Sequence, residues 1–393
     1  MRQCITVHLP SPAHEMAQEE ILKKIAHVSK HITNVRFLNQ GTDLQFETPA
    51  DSASDHAAHV EALVRTVQRS LRGLQRQIRF RSRAAERPVF RGTGLAPGIH
   101  LLGNGQVALQ GLPLRLFRYF DRVFEAFSHA WRVRTVLTPT LIPATVLAKC
   151  DYFRSFPHSV TFATHLYEDM ACIDDFRSRH QERETLDERA LADMETPEAC
   201  LAPAVCYHIY HMNQDQTVPA TGLAYSACGK CFRYESSNMR DLRRLWDFTL
   251  REIVFLGTGE DVLRQRDRGI DMMAAFLDEH HLAGEIRTAS DPFFIAPDAP
   301  AKTYFQLSAG TKYEVSLMLP DGERLAVGSL NYHTDFFGRA FNVAVEGGGP
   351  MHSACIGFGL ERWVYAFLSQ QGEHPENWPS AVRQAPEFAN GGI

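Results

Sequence analysis

Between Cys228 and Phe255 the chain writes two strands with a basic turn between them, and this hairpin constrains the fold more than any other stretch. Phe232-Arg233-Tyr234-Glu235 is expected on the outgoing strand and Trp246 to Ile253 on the returning one. Arg233 offers a rigid, always charged fork of donors suited to a phosphate, and Arg240, Arg243 and Arg244 crowd more positive charge into the turn. Phe248 supplies a flat face for an adenine ring. Glu235, two residues from Arg233 and so on the same strand face, can accept from a nucleobase amine. ATP fits that combination, although an ordinary hairpin with a solvated basic tip satisfies the same pattern.

A second segment, Gly357-Phe358-Gly359-Leu360-Glu361-Arg362-Trp363-Val364-Tyr365, reads as a glycine-rich strand running into an amphipathic helix. The glycines let a ligand approach the backbone, and Arg362 falls at the helix start, where dipole and guanidinium both favour a phosphate. A third segment carries Leu116, Phe117, Phe120, Val123, Phe124, Phe127 and Trp131 at three- and four-residue spacing, then Val136, Leu137 and Pro139. That spacing predicts a helix with one strongly apolar face. Periodicity does not distinguish burial in the chain's own core from burial against a partner.

Together the three segments resemble the motifs of the class II aminoacyl-tRNA synthetases. Phe232 to Glu235 with Phe248 looks like motif 2, Gly357 to Arg362 like motif 3, and the helix with Pro139 like motif 1, the unit that builds the homodimer in that family. The chain is most similar to the atypical, methanogen-type seryl-tRNA synthetases and, closer still, to their truncated relatives, the amino acid:carrier-protein ligases. The similarity covers Gly111 to Gln371.

The resemblance implies an α+β fold in which a mostly antiparallel sheet is flanked by helices. It implies two-step acyl activation, with Arg233 and Arg362 in catalytic roles and Arg233, Glu235, Arg244, Phe248 and Arg362 holding ATP. It further implies one zinc ion per subunit on Cys206, Glu252 and Cys355, binding the substrate's amino group. From the residues alone that set is uninformative, because the three positions lie far apart and buried structural cysteines are common. Thiolates and a carboxylate do suit zinc, and three ligands leave a fourth position open. Cys228 and Cys231 have the spacing of a redox or zinc pair, His208 and His211 share a helical face, His280 and His281 adjoin a helix end, and Cys150 reads as a small core residue. Magnesium should bridge the phosphates. Where the resembled synthetases carry an acidic residue, Leu325-Ala326-Val327-Gly328-Ser329 offers none, so Glu314, Asp335 and Glu346 are the candidates.

The implied partners are a small amino acid, a phosphopantetheinylated carrier protein and a second copy of the chain, with tRNA disfavoured. A seryl-type tRNA synthetase is the alternative enzyme, and a synthetase-like binding protein without catalysis the alternative class. The intact Arg233, Glu235 and Arg362 argue against the latter.

Composition agrees with a cytoplasmic enzyme. The chain is 44% hydrophobic and 22% charged, ordinary for a globular protein. It has no apolar run long enough to span a membrane and no secretory signal at Met1 to Thr6. Eight scattered cysteines do not make a disulfide framework. A net charge of −5 argues against a broad nucleic-acid footprint, with one reservation: Arg65 to Arg83 holds seven arginines and no acid.

Residues 1–82 read as a small α+β domain. A strand is expected at Cys4 to Leu9, a helix through Ile21, Leu22, Ile25, Val28 and Ile32, strands at Val35 to Leu38 and Leu44 to Phe46, a helix from Val60 to Leu74, and a short strand at Ile78 to Phe80. Residues 83–110, rich in Gly, Pro and Arg, read as a linker or connecting hairpin, and 111–393 as the catalytic domain. Arg177 to Glu198 is an exposed excursion. A helix follows at Asp261 to His280, then the Gly284 to Phe294 stretch and strands near Tyr304 to Leu307, Lys312 to Leu319 and Leu325 to Leu330.

Overall fold

The computed structural model describes residues 2–71, 76–234, 239, 241–289 and 310–389. Its N-terminal unit comprises β1 (Arg2–His8), α1 (Glu15–Ile25), β2 (Thr33–Leu38), β3 (Asp43–Pro49) and α2 (Ala53–Ser70). The strands pair antiparallel in the order β1-β3-β2, and the apolar faces of both helices close over them around Val7, Ile21, Ile25, Leu44, Phe46, Val60 and Val64. α1 stops at Ile25, short of the expected Val28 and Ile32. The amides of His27 and Val28 bond back three residues rather than four, so the chain winds off the helix and Ile32 enters the core from the turn.

The strand at Ile78–Arg81 (β4) was expected with this unit, but it hydrogen-bonds into a different sheet. Among the described residues that sheet has eight strands. Around it run the hairpin β5 (Ile99–Gly103) and β6 (Gln106–Leu109), then α3 (Gly111–Ser128), β7 (Arg134–Val136), α4 (Cys206–Met212), β8 (Leu223–Phe232), β9 (Asp247–Gly257), α5 (Gly259–Glu279), β10 (Gly284–Thr288), β11 (Lys312–Met318), β12 (Arg324–Tyr332), β13 (His352–Gly359) and α6 (Leu360–Gln371). The strand order is β4-β10-β11-β12-β13-β9-β8-β7, antiparallel except where β7 joins β8 in parallel. The expected strand at Tyr304 to Leu307 and the end of the Gly284 to Phe294 stretch lie outside the described residues.

Because side chains alternate across a strand, β9 serves two environments. Its odd-numbered residues face α3, α5 and α6. Arg251 donates to Asp121 of α3 at 2.5 Å, Thr249 bonds the Glu361 carboxylate at the start of α6, and Ile253 and Phe255 enter the main core. Leu116, Phe120 and Phe124 of α3 are wholly buried in that core, with Phe124 stacked on Phe358 at 4.1 Å between centroids. The apolar face of the motif 1 helix is thus satisfied largely within its own chain.

The even-numbered residues of β9, Phe248, Leu250, Glu252 and Val254, face the opposite side, where α4 and the segments around Ile142, Cys200 and Phe337 pack. The excursion after Arg177 begins in a helix, Met170–His180, and folds back through Arg179, which pairs with Asp175, Asp187 and Asp193.

The N-terminal unit is fastened to the sheet by charge. Arg76 grips the Glu19 carboxylate of α1 at 2.8 and 3.1 Å, Arg287 of β10 reaches the same group at 3.3 Å, and Arg324 of β12 meets Glu15 at 2.7 Å. Within the arginine-rich run, Arg65 pairs with Glu61, Arg76 with Glu19, Arg81 with Glu285 and Arg83 with Asp278. Much of the positive charge that raised the possibility of a nucleic-acid footprint is neutralised within the fold.

Candidate functional site

The site is assembled on the even face of β9. Register places Glu252 between Ala227 of β8 and Gly357 of β13, and Cys355 opposite Val254, so Glu252 and Cys355 are near-neighbours on one face. Cys206, the first residue of α4, is brought down onto them by its own backbone N–H, which donates to Glu252 Oε2 at 2.5 Å. The two sulfurs and a Glu252 carboxylate oxygen lie within 4.8 Å of one another, and all three residues are buried. They are the only such group of three potential metal ligands among the described residues.

The electrostatics suit a cation. Burial, then the charge on Cys355, pushes the Glu252 carboxyl up to about 8, against the Cys206 amide and Arg233, which pull it down. The hydrogen bond between the two sulfurs, followed by burial and the Glu252 charge, drives the Cys206 thiol upward. The same bond, opposed by burial and aided by His333 and Asn331, holds the Cys355 thiol low. Three acidic donors in a dry enclosure repel one another's charged forms, and a divalent cation relieves that repulsion. Two thiols and a carboxylate, with a position left over, fit zinc.

Around Cys355 lies a fixed polar shell. Asn331 Nδ2 donates to Cys355 Sγ at 3.4 Å and to Ser329 Oγ at 3.1 Å. His333 Nε2 lies 3.7 Å from Cys355 Sγ, while its Nδ1 meets Ser353 Oγ at 3.0 Å and Tyr210 OH at 3.2 Å. Sequence reasoning passed over this shell. The signal available was the alternation Ser329, Asn331, which marks one face of β12.

Arg233 and Phe248 sit together at the open end of the hairpin. The strand closes at Phe232 rather than running on to Glu235, and Arg233 adds one more ladder bond, its N–H donating to Trp246 O at 3.0 Å. The Arg233 guanidinium lies over the Phe248 ring, 5.4 Å from its centroid, with Nε anchored on Pro203 O at 2.8 Å. Glu235 and Arg240 lie outside the described residues. Arg243 is drawn into an acidic cluster of Asp241, Asp321 and Glu323, so it contributes little net charge to the turn. Arg244 lies beside it, half-buried.

Arg362 occupies the third position of α6, as expected. Its guanidinium is aimed by two carbonyls: Nε donates to Arg243 O at 2.8 Å and Nη1 to Ala326 O at 3.0 Å. Two backbone segments therefore hold this cation, one from the turn of the hairpin and one from β12. Between Arg362 and the thiol cluster lies Gly357. A Cβ there would meet Leu250 at 3.4 Å and Glu252 Oε1 and Ser329 Oγ at 3.6 Å, which is ordinary contact, so the glycine opens floor space rather than relieving a clash.

Other candidates separate from the site. Cys228 and Cys231, three apart on β8, point to opposite faces: Cys228 packs toward the helices and Cys231 toward Val205 and Leu250. His208 is buried beside Pro139, whose carbonyl it bonds, and His211 is exposed. His280 is committed to Tyr119 OH at 2.6 Å, and Cys150 is a core residue as expected. Of the magnesium candidates, Asp335 is bound to Arg339 at 2.6 Å and Glu346 sits on an exposed loop. Glu314 of β11 is opposite Ser329, in the same cross-sheet row as Gly357 and Glu252.

No protein-family model matches the chain. It is 32% identical over 248 residues to amino acid–acyl-carrier-protein ligase 2 of Bradyrhizobium diazoefficiens, covering 62% of this chain and 72% of that protein. It is 27% identical over 287 residues to the type-2 serine–tRNA ligase of Methanopyrus kandleri, covering 70% of this chain but only 54% of that protein. The chain thus spans about half the length of that larger ligase. Among solved structures, M. kandleri seryl-tRNA synthetase in complex with A. aeolicus tRNA-Sec superimposes at a TM-score of 0.72 with 21% identity, covering 100% of this chain and 79% of that one. The cytoplasmic serine–tRNA ligase of Naegleria fowleri with AMP superimposes at 0.58 with 12% identity, covering 86% of this chain and 74% of that one.

Sheet order, hairpin and helix-start arginine define a class II synthetase fold. Within that class, the chain belongs to the group formed by the amino acid–acyl-carrier-protein ligases and the type-2 serine–tRNA ligases.

Proposed function

We propose that the protein activates a small amino acid with ATP as an aminoacyl-adenylate and passes it to the phosphopantetheine thiol of a carrier protein. The observation that carries this reading is the meeting of Cys206, Glu252 and Cys355 on the strand face that also presents Phe248 and Arg233. Glu252 and Phe248 are four residues apart on β9, about 13 Å along an extended strand. That span suits a nucleotide joined to an amino acid.

In the first step a carboxylate oxygen of the amino acid attacks the α-phosphorus of ATP and pyrophosphate leaves. Arg233 and Arg362 neutralise the charge that develops on the phosphates, and their carbonyl anchors hold both guanidinium groups ready, so little reorganisation is needed. Phe248 carries the adenine, with Arg244 and Glu235 assigned to the nucleotide by the family resemblance. Of the three candidate acids we assign magnesium to Glu314, an assignment supported by its pairing opposite Ser329. Zinc, when bound by Cys206, Glu252 and Cys355, supplies a Lewis-acid anchor for the substrate's amino group. In the second step a pantetheine thiolate attacks the acyl carbon of the mixed anhydride and AMP departs. The acceptor needs little base assistance, since a thiol ionises near about 8.5.

The names of the two Bradyrhizobium relatives, both ligases of amino acids to acyl-carrier protein, support the carrier as acceptor. A homodimer is supported by Leu137, 91% exposed just beyond β7, and by exposed Leu101, Leu102 and Leu141. All eight cysteines are unpaired, which suits a reducing cytoplasm, and no helix among the described residues is long and apolar enough to cross a membrane. A tRNA-charging enzyme is the second reading, favoured by superposition of the whole chain on the Methanopyrus synthetase. Pyrophosphate exchange over a panel of amino acids tests activation, and charging of phosphopantetheinylated carrier against tRNA separates the two acceptors. Charging of tRNA alone would overturn the carrier assignment.

A further inference from the structure

The reading of Cys206, Glu252 and Cys355 as a metal centre leaves His333 unexplained, and the inference here rests on that reading. His333 follows β12 directly and is 3% exposed. Its backbone N–H donates to Ser353 O at 2.8 Å, which ties it to β13 two residues before Cys355. The ring is clamped edge-on against Phe337, with centroids 5.1 Å apart, and against Tyr210 at 6.0 Å. Backbone and ring are thus each held by a neighbouring element.

The two ring nitrogens meet different chemistry. Nδ1 faces two hydroxyls, Ser353 Oγ at 3.0 Å and Tyr210 OH at 3.2 Å. Nε2 faces the Cys355 sulfur at 3.7 Å. A hydroxyl can donate to a bare nitrogen, whereas a metal-binding thiolate can only accept. The arrangement with every group satisfied puts the ring hydrogen on Nε2, directed at sulfur, and leaves Nδ1 to accept.

We propose that His333 is a positioning residue for the Cys355 thiolate: its Nε2–H, held in that tautomer by Tyr210 and Ser353, donates to the sulfur and sets the strength of the metal–sulfur bond. Asn331 Nδ2, at 3.4 Å, supplies a second donor to the same sulfur. Cys355 thus receives two N–H groups while Cys206 receives none among the described hydrogen bonds, so the two thiolates of the centre are unequal. Groups that orient metal ligands in this way typically change affinity 10–100-fold when removed.

Cobalt(II) loaded into the full chain tests the assignment through its sulfur-to-metal charge-transfer band. His333→Phe keeps a ring in the clamp and removes both nitrogens. The expected result is a band shifted to lower energy, as the thiolate loses an N–H partner and becomes a stronger electron donor, with partial restoration by His333→Gln. A folded His333→Phe protein that binds cobalt with an unchanged band overturns the proposal and leaves the metal centre standing. Should His333→Phe fail to fold, Tyr210→Phe/Ser353→Ala decides: it preserves the histidine, removes its tautomer lock, and must shift the band in the same direction. An unchanged band there overturns the proposal too. Wild-type protein that takes up neither cobalt nor zinc overturns the metal centre itself, and His333's role with it.

Discussion

The backbone N–H of Cys206 and the Glu252 carboxylate share a 2.5 Å hydrogen bond, so one prospective metal ligand is positioned by another. Glu252 thereby has two tasks: it pins the start of α4 over the sheet and offers a carboxylate oxygen to the centre. Replacing it by Gln keeps an acceptor for the amide but removes the charge. Glu252→Gln should fold, lose bound zinc, and raise the amino-acid KM far more than the ATP KM in pyrophosphate exchange. Loss of a direct ligand should exceed the 10–100-fold typical of supporting residues. Metal analysis showing full zinc in that variant would sink the ligand assignment.

Arg362→Ala should lower kcat for adenylate formation by about 10²–10³-fold, the scale for losing one preorganised charge-stabilising group. The melting temperature should move little, since the bonds described for this side chain run to two backbone carbonyls, Arg243 O and Ala326 O, and not to a buried charge. Exchange activity within a few-fold of wild type would refute its phosphate role.

Gly357→Ala is a test of space. The added methyl meets Glu252 and Ser329 only at ordinary contact distance, so stability should change little while ligand binding suffers. Substrate KM values and thermal melting, measured together, separate the two effects. A melt lowered by many degrees would show that the glycine serves the strand and not the ligand.

Asp121→Asn removes the partner of Arg251, whose side chain is 6% exposed. Leaving that guanidinium without its carboxylate should cost about 3 kcal/mol by denaturant unfolding, the lower end for breaking a buried pair. An effect below half a kcal/mol would mean that Glu125, 3.7 Å from the same arginine, takes over.

Acid should loosen the seam between the N-terminal unit and the sheet. Burial alone would raise the Glu19 carboxyl, but the hydrogen bond and charge of Arg76, with the charges of Arg287 and Lys23, hold it below its ordinary value of 4.5. A carboxyl depressed in the folded state stabilises fully above that ordinary value, and the contribution fades as pH falls through the depressed one. Glu19→Gln should therefore be less stable than wild type at neutral pH, and the gap should close in acid. Thermal melts from pH 7 to pH 3 check the trend; a gap constant with pH would rule out the charge as its source.

Much of this was legible in the sequence. The motif 1 helix was readable because seven apolar residues keep helical spacing, and the hairpin because its strands alternate. The thiol–carboxylate trio was not readable from spacing, since Cys206, Glu252 and Cys355 meet only through an antiparallel register set elsewhere; the family resemblance supplied it. β4 was misassigned to the small unit because four residues carry no label for a partner two hundred positions away. Arg243 looked like a free cation because Asp321 and Glu323, which neutralise it, arrive from a distant loop.

The pairing of β4 with β10 has a practical consequence for dissecting the protein. Because the tail of the small unit is also the outermost ribbon of the large sheet, a truncation made beyond Arg81 strips that ribbon away. The rim of β10 would then present bare amide and carbonyl groups, a template for chain-to-chain stacking. A cut made after Leu71 leaves the rim sealed, and it is the place to divide the molecule.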